Sequence, residues 1–420
     1  MPKIISNKSN VDLDYPVVRP SLDLDFTQEE LDPRITFSRG TSGTRVNRNR
    51  LIETVAANQP RFDYDPVTGE CKGLLIEETR TNIALQSENI NTSPWSTSTL
   101  TFATNSIVAP DGNTTADKLI ENPSFSSFKV VSQSVGTISG TYTVSGFFKA
   151  GERFRGYLQL FGAGGNATVI FNLRTGTISG GAGTNTITSY GNGWYRVTST
   201  AVFTSATAAI YVVVQNDSGT SGYTGDGTSG LYCWGVQVEA SGTPTSYIPT
   251  DGTAGGKPRS TDLVRMTGTN FSSWYNPTEG TLYAAVRTNA LGGSGYPGIA
   301  YVDDGTLNNC IGLVVMDAVT DRVGAEAYAS GANQFFYNSN SAIVPNQLSK
   351  VIASYSLNNY SAAFSDRDNI QRDINGIIPT VNRLLLGDLR GGNGRLNGVL
   401  ARFTYYPRKL KDNQLLYLTQ

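Results

Sequence analysis

Apolar and polar residues alternate along most of this chain with a period of two. Turn signals break the alternation roughly every eight to twelve residues, which predicts short strands and not helices. The stretch from Arg61 to Ile90 shows the pattern plainly. Arg61-Phe62-Asp63-Tyr64-Asp65 alternates as a half-buried strand does. Asp65-Pro66-Val67-Thr68-Gly69 supplies a turn, because proline presets φ and glycine accepts a positive one. Leu74-Leu75-Ile76 is a short buried run, followed by Glu77, Glu78 and Arg80. A hairpin is predicted.

Ahead of it, residues 1–20 are polar with scattered prolines and read as an extended arm. Asp12 with Asp14, and Asp23 with Asp25, share strand faces at a spacing of two and read as solvated acidic faces. Thr27 to Leu31 suggests one helical turn with Thr27 as its cap and Glu30 three residues on. Gly40-Thr41-Ser42-Gly43-Thr44 is a turn, leading into a strand-like stretch ending near Val55. This lead-in is too poor in apolar residues to hold a core of its own.

Residues 86–250 carry strand patterns at Leu100–Thr104, Ala116–Glu121, Phe128–Val135, Tyr142–Lys149, Arg155–Phe161, Ala167–Asn172, Thr186–Tyr190, Trp194–Phe203, Ala208–Gln215 and Leu231–Glu239. Gly136-Thr-Ile-Ser-Gly140 recurs at Gly176–Gly180 and reads as hairpin-turn chemistry. Residues 251–262, rich in Gly, Pro, Ser and Thr, read as a linker. Residues 263–420 repeat the short-strand pattern and close on a helix in which Leu410, Leu415 and Leu418 face a sheet, with Asp412 near its start. The fold class predicted is all-β: two β-sandwich (jelly-roll) domains, 86–250 and 263–420, after an extended N-terminal region, 1–85.

Composition removes many function classes. Of 420 residues 45 are glycine and only 16% are charged, which suits tight turns and no coiled coil. The net charge of -1 offers no basic stripe for nucleic acid. Arg45 with Asn47-Arg48-Asn49-Arg50 reads as a solvated loop. The chain has no histidine, which excludes imidazole acid–base chemistry, Ser-His and Cys-His nucleophiles and His-ligated zinc. Cys71, Cys233 and Cys310 are far apart, form no CxxC motif and read as small buried hydrophobes in a reducing compartment. The N-terminus carries no signal-like apolar core, and no apolar run approaches membrane-helix length, so no membrane insertion is expected.

The wording of Leu22-Asp23-Leu24-Asp25-Phe26, Asp32–Arg39, Ala56-Ala57-Asn58-Gln59-Pro60 and the Arg61–Ile90 stretch resembles a lead-in of tailed-bacteriophage minor structural and tail-fibre proteins. Tyr142–Ala150, Gly193–Val197 and Tyr223–Glu239 resemble the carbohydrate-binding jelly rolls of phage tail proteins. The ending from Gly394 onward resembles the closing strand and helix of the laminin-G/concanavalin-like fold. These resemblances imply a virion structural protein of tail-fibre, receptor-binding type. It would be anchored to other virion proteins through residues 1–85 and displayed on the virion surface as a homo-oligomer, most simply a trimer. It would meet host surface glycan, and be made in the host cytoplasm and released by lysis. The alternatives are a capsid or tail decoration protein with protein-only contacts, and a polysaccharide depolymerase.

Glycan binding asks for aromatic platforms beside amide and carboxylate groups. The candidates are Tyr223 and Asp226 in the first sandwich, and Trp274, Tyr275, Tyr296, Phe336 and Tyr337 in the second. Trp194, Trp234 and Tyr211 sit inside strand patterns and are expected to be buried. Calcium, the one cofactor considered, would take Asp226 or Asp303 with Asp304. Gly225-Asp226-Gly227-Thr228-Ser229-Gly230 matches GxGxxG, but a strand is expected after it where a dinucleotide site needs a helix. The Glu-x-Asp-x-x-Glu string of concanavalin-like glycosidases is absent, and adjacent Glu77-Glu78 would point to opposite faces, so no enzyme is expected.

Overall fold

The computed structural model describes residues 15–288, 296–316, 321–366, 370–392 and 394–420. Asp12 and Asp14 lie outside the described residues. The chain forms two compact units. Among the described residues one comprises 39–71 and 79–261, the other 15–38, 72–78 and those from 262 to 420. The lead-in is therefore not a separate compact unit: its segments are shared out between the two units. It follows the logic of its own composition, since a stretch with few apolar residues must borrow a core.

The first unit is a jelly roll of nine strands: β1 (Leu100–Ile107), β2 (Ala116–Glu121), β3 (Lys129–Ala150), β4 (Arg155–Gly162), β5 (Gly165–Asn172), β6 (Thr177–Ala182), β7 (Thr184–Ser189), β8 (Trp194–Gln215) and β9 (Gly230–Glu239). Two of them, β3 and β8, run 22 residues each and pair with one another from Lys129↔Val214 to Lys149↔Trp194. Each was expected as two strands. Gly136 and Gly140, expected in a turn, instead occupy positive-φ positions in β3 beside two register shifts. Such bulges bend a strand without ending it.

The bend makes two layers from one ladder. The N-terminal half of β3 and the C-terminal half of β8 continue through β4, β5 and β6. The other halves continue through β7 on one side and β9, β2 and β1 on the other. Side-chain parity records the crossing. In β8 the buried core residues are Val197 and Phe203 before the bend, then Ala208, Ile210, Val212 and Val214 after it. Both halves feed one core with Val131, Val144, Phe148, Leu158, Val169 and Val236. Each such side chain contributes about 1.5–3 kcal/mol by leaving water.

A smaller apolar cluster lies outside this core: Ile52, Phe147, Trp194, Trp234 and Tyr247 are all buried together. Trp194 and Trp234 are thus interior, as expected. The lead-in hairpin Gly43–Val46 with Ile52–Val55 supplies Ile52. The presumed linker is partly ordered as well, since Lys257–Arg259 pairs with Arg80–Asn82. The turn after Tyr64 forms as expected: Asp65 accepts from the N–H groups of Val67 and Thr68, and Gly69 has φ 75°.

The second unit is also a sandwich. Its strands are β10 (Leu263–Thr267), β11 (Glu279–Thr288), β12 (Gly298–Asp303), β13 (Cys310–Met316), β14 (Arg322–Ala329), β15 (Ala332–Asn338), β16 (Ser349–Ser356), β17 (Asn359–Phe364), β18 (Gln371–Asp373), β19 (Arg383–Leu386) and β20 (Gly398–Tyr406). One sheet runs β18-β17-β16-β11-β20, with Leu22–Asp25 and Cys71–Ile76 both paired to β20. The other runs β10-β19-β12-β13-β14-β15, with Thr36–Ser38 added beyond β10. Phe335 of one sheet stacks on Tyr360 of the other at 5.5 Å. Helix α1 (Asp412–Thr419) covers the back of the first sheet, where Leu410, Leu415 and Leu418 meet Tyr283, Ile352 and Ala363 as their spacing predicted.

Two local expectations change. The short helical turn spans Phe26–Gln28, and its cap is Asp25, which accepts from the Thr27 N–H at 3.1 Å. Asp23 does not face solvent alone: Arg402 grips it at 2.9 Å and Thr404 donates to it at 2.8 Å.

Candidate functional site

Among the described residues no second sheet packs on one face of the jelly roll, although Thr168 and Val213 on it are buried at 7% and 1% exposure. This face is the outer side of β4, β5 and the C-terminal half of β8, and strand parity decides which residues stand on it. Since Leu158, Leu160, Val169, Ile210 and Val212 point into the core, Tyr157, Gln159 and Phe161 of β4 point outward. So do Asn166, Thr168 and Ile170 of β5, and Ala209, Tyr211 and Val213 of β8. The registers set them in rows: Ile170–Tyr157–Val213, Thr168–Gln159–Tyr211, and Asn166–Phe161–Ala209. Tyr157, Gln159 and Tyr211 are half-buried, and Phe161 is 46% exposed. Tyr211, expected in the core, therefore lies on this face.

The polar groups of the face are ordered by one another. Gln159 Nε2 donates to Asn166 Oδ1 at 3.1 Å, and Thr168 Oγ1 donates to the same oxygen at 2.6 Å. Among the described residues nothing engages the Gln159 carbonyl oxygen or the Asn166 amide nitrogen. Burial raises the pKa of the Tyr157 hydroxyl, opposed by a hydrogen bond with Ser221. The three rows hold no carboxylate, lysine or arginine, and Arg155 stands at one end of them.

A rim of loops adjoins that end. Arg153 holds the fully buried Glu121 with two bonds, Nε at 3.1 Å and Nη2 at 2.8 Å. Its Nη1 lies 3.5 Å from Asp217, and its Nη2 lies 3.7 Å from Asp226. The Glu121 bond raises the Arg153 pKa further above its ordinary range. Tyr223 lies between two cations, with Lys129 Nζ 5.5 Å and the Arg153 guanidinium 5.8 Å from its ring centre. Burial, with Glu121 adding to it, pushes the Tyr223 hydroxyl pKa up. Lys129 donates to the carbonyls of Asn122 and Phe125, and burial lowers its pKa. Phe125 and Phe128 stand exposed beside it.

Asp226 serves its own turn. It accepts from the N–H groups of Thr228 and Ser229, both hydroxyls join, and together these outweigh burial and hold the carboxyl below its usual range. The glycine-rich loop runs directly into β9, a strand, so the dinucleotide pattern has no helix behind it.

The second unit scatters the remaining candidates. Trp274 is buried and packs on Phe271 and Tyr405, and Tyr275 stacks on Phe271 at 4.8 Å. Trp274 therefore has no free face to stack on, whereas Tyr275 is half-buried with one face occupied by Phe271. Tyr337 bonds the Arg372 carbonyl at 3.0 Å. Phe336 and Tyr296 are exposed, Phe336 opposite Glu326 in the ladder. Glu326 is engaged by the Tyr301 hydroxyl at 2.7 Å and by Arg390.

Asp303 and Asp304 are adjacent but do different work. Asp303 is fully buried and accepts from Arg383, Gly305 and Gly391. Asp304 closes a turn onto Thr306 and Asn309, bonds that outweigh burial and lower its pKa. Among the described residues no group of three or more Cys, Asp or Glu stands where it could hold a metal ion. All three cysteines are free thiols, Cys233 and Cys310 fully buried.

The fold is that of an all-β protein built from sandwiches. No family model and no curated protein matches the chain. Solved structures similar to part of it include the CBM40 of a Ruminococcus gnavus IT-sialidase bound to α2,3-sialyllactose, at 16% identity over 36% of this chain and 88% of that one, TM-score 0.29. Domain 4 of a GH43 extracellular arabinanase from Geobacillus stearothermophilus, in complex with arabinotriose, matches at 12% identity over 38% of this chain and 73% of that one, TM-score 0.30. The NanB sialidase of Streptococcus pneumoniae matches at 10% identity over 36% of this chain and 26% of its own, TM-score 0.30.

Proposed function

We propose that this protein is a virion structural protein of a tailed bacteriophage, of tail-fibre or receptor-binding type, that holds a host surface glycan on the outer face of β4, β5 and β8. The observation that carries the glycan half is that face: half-buried Tyr157 and Tyr211 beside Gln159, Asn166 and Thr168, with no charge among them. A sugar ring offers an apolar C–H surface and a girdle of hydroxyls. Aromatic rings desolvate the first, and amides and hydroxyls pair with the second. The virion half rests on the wording of the lead-in, as do attachment to other virion proteins through the N-terminal 85 residues and display as a homotrimer. Binding without cleavage fits the rim, where Glu121 is committed to Arg153 and Asp226 to its turn.

Two measurements test the reading. Mass spectrometry of purified phage particles should find the chain in the virion, and its absence there would remove the virion half. Binding of the purified chain to host surface polysaccharide should fall at least about tenfold on Tyr211→Ala. Unchanged binding would move the glycan away from this face.

A further inference from the structure

The outward groups of this face do not converge on a point; they form a line. Successive outward side chains on one strand stand about 6.5–7 Å apart, so Tyr157, Gln159 and Phe161 of β4 span about 13 Å, the length of roughly three pyranose rings. Tyr211 flanks the middle of that line from β8, and Thr168 flanks it from β5, both opposite or next to Gln159. Strands in a sheet are about 4.8 Å apart, so the flanking groups reach the edges of a chain lying along β4. A pocket for one terminal sugar would need walls on several sides. Here the strip runs out past Phe161, which is exposed, toward the turn at Gly162–Gly165.

The chemistry along the line repeats as well. Tyr157 and Phe161 are rings at the two ends, and Gln159 between them lies beside Tyr211. The amide and hydroxyl groups of Asn166 and Thr168 lie along one side. The three positions themselves carry no carboxylate, lysine or arginine, and Arg155 stands one outward position beyond Tyr157, so an acidic group seated over Gln159 or Phe161 would lose its hydration and gain no counter-charge there.

Resting on the glycan reading above, we infer that the face takes a linear, uncharged oligosaccharide of about three residues laid along β4, in preference to a single terminal sugar or an acidic one. Tyr157 and Phe161 then seat the outer rings, and Tyr211 with Gln159 seats the middle one.

The test uses the full chain on an array of bacterial surface oligosaccharides of one to six residues, neutral and acidic, followed by calorimetry on the spots that bind. Affinity should rise at least about tenfold from one residue to three and then level off, on neutral chains. Tyr157→Ala and Tyr211→Ala should each abolish the gain with length. Phe161→Ala should remove only the last increment, and Gln159→Ala, which leaves every ring in place, should weaken all lengths. Thermal midpoints within a few degrees of the parent confirm that the variants fold. Monosaccharides bound as tightly as trimers, or acidic chains preferred over neutral ones, would overturn the linear, uncharged ligand while leaving glycan binding intact. Binding that survives both tyrosine substitutions would place the glycan elsewhere. No glycan bound at all would overturn the glycan reading itself.

Discussion

Removing Arg153 tests the rim of the jelly roll most directly. Its guanidinium makes two bonds to Glu121, whose side chain is completely buried while that of Arg153 is 20% exposed. In Arg153→Met the Glu121 carboxylate keeps the Asp226 N–H at 3.1 Å and the more distant charge of Lys129 but loses its bonded counter-charge. Stranding a buried charge costs about 3–5 kcal/mol, and the partial exposure of the arginine puts this case toward the lower end. For a unit of this size 1 kcal/mol moves the melting point by about 2–4 °C, so a fall of roughly 6–15 °C is expected. Glu121→Gln together with Arg153→Met removes both charges of the pair, leaving the buried Lys129 with its carbonyl bonds to Asn122 and Phe125, and should recover at least half of the loss. Urea unfolding followed by tryptophan fluorescence reads both values, because Trp194 and Trp234 lie within this unit. A loss below about 0.5 kcal/mol for Arg153→Met, typical of an exposed pair, would refute the reasoning. So would a double variant less stable than the single one.

Three further expectations follow from other sites. Burial raises Asp117 to about 6, while its carboxylate receives the Asn105 N–H at 3.0 Å and the Asn91 amide at 3.3 Å. The folded chain then holds a proton that the unfolded chain has lost between about pH 4 and 6, so stability falls by about 3 kcal/mol as pH rises through that window. Asp117→Asn should flatten that slope in urea midpoints measured from pH 4 to 7, and an unchanged slope would disprove it. Gly140 has φ 101° with nothing near its absent side chain, so Gly140→Ala should cost about 1–2 kcal/mol through backbone strain alone, checked by thermal unfolding. Asp303→Asn should destabilise the second unit by about 2–4 kcal/mol, Asp304→Asn by less than about 1, and added calcium should leave the melting point unmoved.

Much of the fold was legible because period-two alternation survives wherever one strand face is buried. Ala116–Glu121 emerges with the ends its pattern gave. The long strands were not legible: glycine signals a turn in sequence, whereas Gly136 and Gly140 mark bulges inside an unbroken ladder. Tyr211 was misjudged for a related reason. Ala208–Gln215 is apolar on both faces, so the pattern marks a strand but cannot tell which parity meets the core. Asp303 and Asp304 illustrate the same gap, since one ends a buried strand and the other begins a turn. The candidate face itself joins residues near 157, 168 and 211, which only the pairing of β4 with β5 and β8 brings side by side.

The shared ladder of β3 and β8 also gives folding a direction. Its two ends differ in how much chain must be closed to form them: Lys149 meets Trp194 across β4 to β7, while Lys129 meets Val214 across that stretch and both long strands. Closure entropy grows with the enclosed length, so the Trp194 end is the easier place to begin. Zippering from there lays down one half of the roll first and reaches the second only after passing the glycine bulges. Along this ladder the pairing of the second half then continues the register set by the first.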